Sequence, residues 1–89
     1  MNAKLVYPHH DYWVGDARIY ELDPPYQGHS YVAITVHPVS DGQWQNAGVE
    51  VVGCNADGHI PGDYVVSCWS SYVVMSHGEV LAQLGYSEA

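Results

Sequence analysis

Two cysteines, six histidines and ten carboxylates are the side chains here that could do chemistry. Their spacing limits what that chemistry could be. Cys54, His59, Cys68 and His77 are all metal-ligand types, separated by four, eight and eight intervening residues. A zinc module shows a tight pair such as C-x2-C, and this spacing matches none. His9-His10-Asp11 would add ligands only in a loop, because neighbours on a strand point to opposite faces. No metal site and no cofactor is assigned.

The thiols can be tested by register. Suppose residues 48–54 and 64–74 form a hairpin around Asp57-Gly58, with Cys54 facing Tyr64. Cys68 then faces Glu50, and the cysteines stand about 13 Å apart at ~3.3 Å per residue. A disulfide needs Cα atoms within roughly 7 Å. Free, buried thiols are expected. Gly28-His29-Ser30-Tyr31-Val32 begins like the nucleophile elbow G-x-S-x-G but lacks the last glycine and precedes a strand. No glycine-rich loop with a lysine offers a phosphate cradle. Pro24-Pro25-Tyr26 lacks the residue that separates prolines from tyrosine in a WW-domain ligand, and reads as a rigid turn. No catalytic residue is assigned and the chain is expected not to be an enzyme. The alternative is a small metal- or thiol-dependent enzyme using Cys54, Cys68 and nearby histidines.

Aromatic usage points elsewhere. Eight tyrosines and three tryptophans stand against no phenylalanine. Tyr and Trp carry a polar end that wants water or a hydrogen bond, and both favour interfaces. Trp44 lies among polar neighbours in Gly-Gln-Trp-Gln-Asn and is expected at the surface. Tyr26, Trp44 and Tyr31 are the candidate interaction residues. Trp69 is expected in the core beside Val65 and Val73.

Ten acids face only Lys4 and Arg18, for a formal charge of −8. Nucleic-acid binding needs Lys and Arg to displace counterions from phosphates, so it is not expected. Anionic membrane surfaces are disfavoured for the same reason. The acids are scattered singly, which weakens a further alternative, an acidic decoy of a DNA-binding protein. The N-terminal MNAKLVYPHH has no h-region of a signal peptide, and no apolar run approaches the ~20 residues of a membrane span. A cytoplasmic protein with reduced cysteines is expected.

The elements that must position these groups are short. Eighty-nine residues suggest one domain, 1–89. Residues 1–16 read as irregular. Residues 17–22 read as a strand stopped by Asp23-Pro24-Pro25, since proline cannot donate to a ladder. In 30–37, Val32, Ile34 and Val36 alternate with Tyr31, Ala33, Thr35 and His37, which marks a strand with one buried face. Residues 48–54 give a third strand, and 64–74 a long β-rich run that Ser70-Ser71 is expected to bend or break. Ser76-His77-Gly78-Glu79 fits a capping box, predicting a helix over 77–84 with Val80, Leu81 and Leu84 as its apolar stripe and Gly85 at its end. The fold class is α+β: a small antiparallel sheet of three to four strands with one short C-terminal helix packed on it.

In this order of elements, residues 20–86 resemble a group of small actinobacteriophage (mycobacteriophage) accessory proteins. Tyr20-Glu-Leu-Asp-Pro-Pro-Tyr-Gln-Gly-His-Ser-Tyr-Val32 is similar to their L-x-P-P element before a valine-rich strand. Asn55-Ala-Asp-Gly58 looks like their D-G turn, and Val80-Leu-Ala-Gln-Leu-Gly-Tyr86 like their closing A-L-x-x-A-G-Y helix. The resemblance implies a phage-encoded, non-virion protein acting in the host cytoplasm. It supplies no catalytic residues. The expectation that follows is a non-enzymatic interaction protein, a small homo-oligomer, that acts on a bacterial host protein through an aromatic-rich surface.

Overall fold

The computed structural model describes residues 1–10, 16–37, 48–60, 67–73 and 75–88. They form six strands and one helix: β1 (Asn2–Tyr7), β2 (Asp16–Tyr26), β3 (His29–His37), β4 (Gly48–Cys54), β5 (Ser67–Ser71), α1 (His77–Leu84) and β6 (Ser87–Glu88). The strands make one sheet in the order β5-β4-β3-β2-β1-β6. The first five strands are an antiparallel meander, and β6 joins β1 in parallel. The α+β class holds, but the sheet is larger than the three to four strands expected.

Period-two alternation sorts the side chains onto two faces. One face carries Ala3, Tyr20, Leu22, Val32, Ile34, Val49 and Val51, packed with Val80, Leu81, Leu84 and Tyr86. The other carries Ile19, Ala33 and Cys54, with Val6 and Tyr31 partly buried against them. Cross-strand registers such as Tyr20↔Val32 and Ile34↔Val51 keep each set together.

The helix forms where the capping rule placed it. The Ser76 hydroxyl accepts from the Glu79 N–H at 3.2 Å, and the Glu79 carboxylate accepts from the Ser76 N–H at 3.1 Å. Gly85 closes the helix in the left-handed conformation, at φ 91°. Eight residues do not hold a helix alone in water. Burial of Val80, Leu81 and Leu84 holds this one, at roughly 1.5–3 kcal/mol for each fully buried side chain. His77, also buried, donates from Nε2 to the Asp16 carbonyl at 2.9 Å and pins the helix start to β2.

Four local expectations are corrected. Residues 1–16 are not irregular throughout, because Asn2–Tyr7 form β1. The prolines do not end β2: it runs to Tyr26, with the register shifting between Glu21 and Tyr26, the irregular kind of pairing in which a proline is tolerated. The β4–β5 register is two residues away from the one that sets Cys54 against Tyr64, so Glu50 faces Ser70 instead of Cys68, and Cys68 falls in a bulge between Val51 and Val52. β5 ends at Ser71, where Ser70-Ser71 was expected to bend or break the run, but Val73 is exposed instead of lying beside Trp69 in the core. Val65 lies outside the described residues.

Candidate functional site

A groove of about 420 Å³ opens where β1, β2 and β3 run side by side. Asn2 and Lys4 line it from β1, Glu21, Leu22, Asp23 and Pro25 from β2, and Ser30 from β3. The sheet fixes this grouping. Asn2 and Lys4 are two apart on one strand, and Glu21 and Asp23 are two apart on the next. The register sets Asn2 against Asp23 and Lys4 against Glu21. Glu21 also faces Tyr31 on its other side, whose hydroxyl points to the carboxylate at 3.5 Å. Two carboxylates, one ammonium, an amide and a hydroxyl therefore share one wall of exposed side chains. Formally the charge is −1, so the groove suits a cation more than an anion.

The turn beside it is held from the opposite face. Tyr26 pairs with His29 to close the β2–β3 hairpin and meets Tyr86 edge to face at 6.4 Å. The Tyr86 hydroxyl donates to the Pro24 carbonyl at 2.6 Å. Burial pushes the Tyr86 phenol up, and Tyr26 and Asp23 add to it. Tyr86 thus ties the chain beyond α1 to the proline segment that rims the groove. The Asp23–Pro24 peptide is cis.

The sequence-chosen residues divide among these places. Tyr31 borders the groove through Glu21. Tyr26 is half-buried on the helix side, so the two tyrosines do not make one patch. Trp44 lies outside the described residues. Sequence reasoning missed Lys4, Glu21 and Asp23, whose convergence depends on a β1 strand it did not assign. It also missed Tyr72 and Val73, which are 92 % and 64 % exposed just beyond β5.

The thiol chemistry is unfavourable. Both cysteines are free, with Cys54 buried and Cys68 half-buried. Burial, then the nearby Cys68, pushes the Cys54 thiol up to about 12. Burial raises Cys68 as well, with the Gly53 backbone opposing. Both stay protonated at neutral pH, and it is the thiolate that attacks or ligates. His29 lies flat over Gly53, where a Cβ would collide with its ring. His10 donates from Nε2 to the Asp57 carbonyl at 2.8 Å and meets Tyr7 and His59 edge to face. Among the described residues, no group of three or more His, Cys, Asp or Glu is placed to hold a metal.

Lys4 stands against Glu21. The Arg18 guanidinium lies beside the Tyr20 hydroxyl, with Asp16 and Glu88 adding attraction. Among the described residues neither Arg18 Nε nor the Tyr20 hydroxyl has a hydrogen-bond partner of good geometry. The described acids are spread over β2, β4, the turn after β4, α1 and β6. No helix among the described residues is long and apolar enough to cross a membrane. The chain matches no family model, no curated protein and no solved structure.

Proposed function

We propose that this chain is a non-catalytic interaction protein that takes a lysine- or arginine-bearing segment of a bacterial host protein into the β1–β2–β3 groove. The carrying observation is the groove itself: Glu21 and Asp23 stand two residues apart on a paired strand, with Ser30, Asn2 and Pro25 around them. A cationic side chain laid there meets two carboxylates whose spacing the sheet has already set, so little ordering remains to be done on binding. The net charge of −8 draws a basic partner from a distance and raises the encounter rate. The protonated thiols favour this reading over a thiol enzyme. The resemblance to phage accessory proteins supplies the setting, a phage product working in the host cytoplasm.

The test is a titration of labelled protein with a short arginine-rich peptide, followed by NMR. Amide shifts should concentrate at Asn2, Lys4, Glu21, Asp23 and Ser30 and fade at high salt. Reversing both charges, Glu21→Lys with Asp23→Lys, should weaken binding by about tenfold, at ~0.2–1 kcal/mol for each exposed pair. Shifts spread evenly over Asp57, Glu79 and Glu88, or binding unchanged by the double reversal, would overturn the assignment. The same pair of proteins used as bait in host lysate should differ in the partner they retain.

A further inference from the structure

We propose that the outer edge of β5 pairs antiparallel with the same edge of a second copy of this chain, joining two six-stranded sheets across a two-fold axis. The two ends of the sheet are unequal. β6 is two residues long and ends in Glu88. A very short, charged strand is one of the ways natural sheets prevent edge-to-edge pairing. β5 has five residues, Ser67–Ser71, with no charge and no proline. Its first part is occupied: Cys68 lies in the bulge, and the Gln27 side chain donates to the Cys68 carbonyl at 3.3 Å. The stretch Trp69–Val73 is the uncharged remainder, and β4 is its only strand neighbour among the described residues.

Charge selects a second copy over another partner. Two chains of −8 repel wherever their acids approach. Across a β5–β5 seam the nearest described carboxylate on a neighbouring strand is Glu50, which faces Ser70 from β4. Its counterpart in the other copy stands three strand spacings away, about 14 Å at ~4.8 Å each, beyond the ~8–10 Å over which salt leaves exposed charges in contact. A basic partner is drawn to the acids and has no electrostatic reason to choose this edge. An antiparallel two-fold contact is self-complementary, so pairing Trp69–Val73 with its copy sets each Tyr72 and Val73 against the other copy's Ser70 and Trp69. Tyr72 and Val73 are the two side chains that stand most exposed there, at 92 % and 64 %. Five residues a side, Trp69–Val73, fall short of the roughly 20–30 a side of a standard interface, so the dimer is concentration-dependent.

The experiment is sedimentation equilibrium of the full chain from about 10 μM to 1 mM, the range in which contacts of this size associate. A reversible monomer–dimer equilibrium is expected. Ser70→Lys, at an exposed edge position, and Tyr72→Ser, at an exposed side chain, should each weaken it about tenfold, or about 1.4 kcal/mol. Both should leave the circular dichroism spectrum unchanged, and Tyr72→Ser keeps the test open if Ser70→Lys disturbs folding. Monomer mass at every concentration, or a dimer indifferent to both changes, overturns the proposal. So does a dimer lost on Glu88→Ser, which would place the seam at β6. The groove variant Glu21→Lys with Asp23→Lys should dimerise like the native chain, so the two surfaces stand or fall separately.

Discussion

Cys54 shows how one residue's surroundings set both its chemistry and its contribution to stability. A thiol displaced from 9.0 to about 12 by burial holds its proton more tightly in the folded protein than in the unfolded chain. Its contribution is therefore complete below pH 9 and lost as pH rises toward 12. Urea midpoints should fall between pH 8.5 and 10.5, and fall less in Cys54→Ala, whose denaturation curve lacks this proton. Native protein should resist alkylation at Cys54 at pH 8 and react there only when unfolded. Equal pH slopes in the two proteins would mean the thiol is not desolvated. The sequence suggested free, buried thiols, and both thiols are free. It placed Cys68 opposite Glu50, because Cys54 was set against Tyr64, two residues out of the register that pairs Glu50 with Ser70. Register follows loop length, and the sequence does not display loop length.

Elements differ in how far their own residues specify them. The helix was readable because its signals are local: Ser76 and Glu79 satisfy each other's backbone, and Gly85 supplies the left-handed close. Ser76→Ala should cost about 1 kcal/mol of unfolding free energy, the usual worth of an N-cap, measured by chemical denaturation. An unchanged midpoint would mean that tertiary packing alone holds the helix. β3 was readable from its alternation. β1 was not, since Asn-Ala-Lys-Leu-Val-Tyr carries no clear period and becomes a strand by pairing with β2. Local punctuation also misled at Pro24 and Pro25, where irregular pairing lets the strand run through. The candidate site suffered from the same gap. Its wall joins residues some twenty positions apart, and only Tyr31, which reaches Glu21, was among the residues chosen from sequence.

At the scale of the molecule, the sheet separates two tasks. The groove sits at β1–β2–β3 and the uncharged edge at β5, with β4 between them in the strand order. If both surfaces act as proposed, a dimer presents two grooves on one continuous sheet, and a partner with two basic segments gains by avidity. The β1–β6 seam carries a different consequence, one of timing. Its partners, Asn2 with Ser87 and Ala3 with Glu88, are the most distant in sequence of any pair in the sheet, whereas the meander is built from neighbours. Closing a loop of that length costs more entropy than closing a hairpin, so the expected barrier to folding is one crossed with the meander formed and the seam still open. Interactions made after the barrier govern how fast a protein comes apart, not how fast it assembles. Tyr86→Phe, which removes the hydroxyl bound to Pro24 beside the seam, should raise the unfolding rate by about two- to tenfold for ~0.5–1.5 kcal/mol lost, with the refolding rate unchanged in stopped-flow chevrons. The far end of the chain would then act as a latch on the lifetime of the native state.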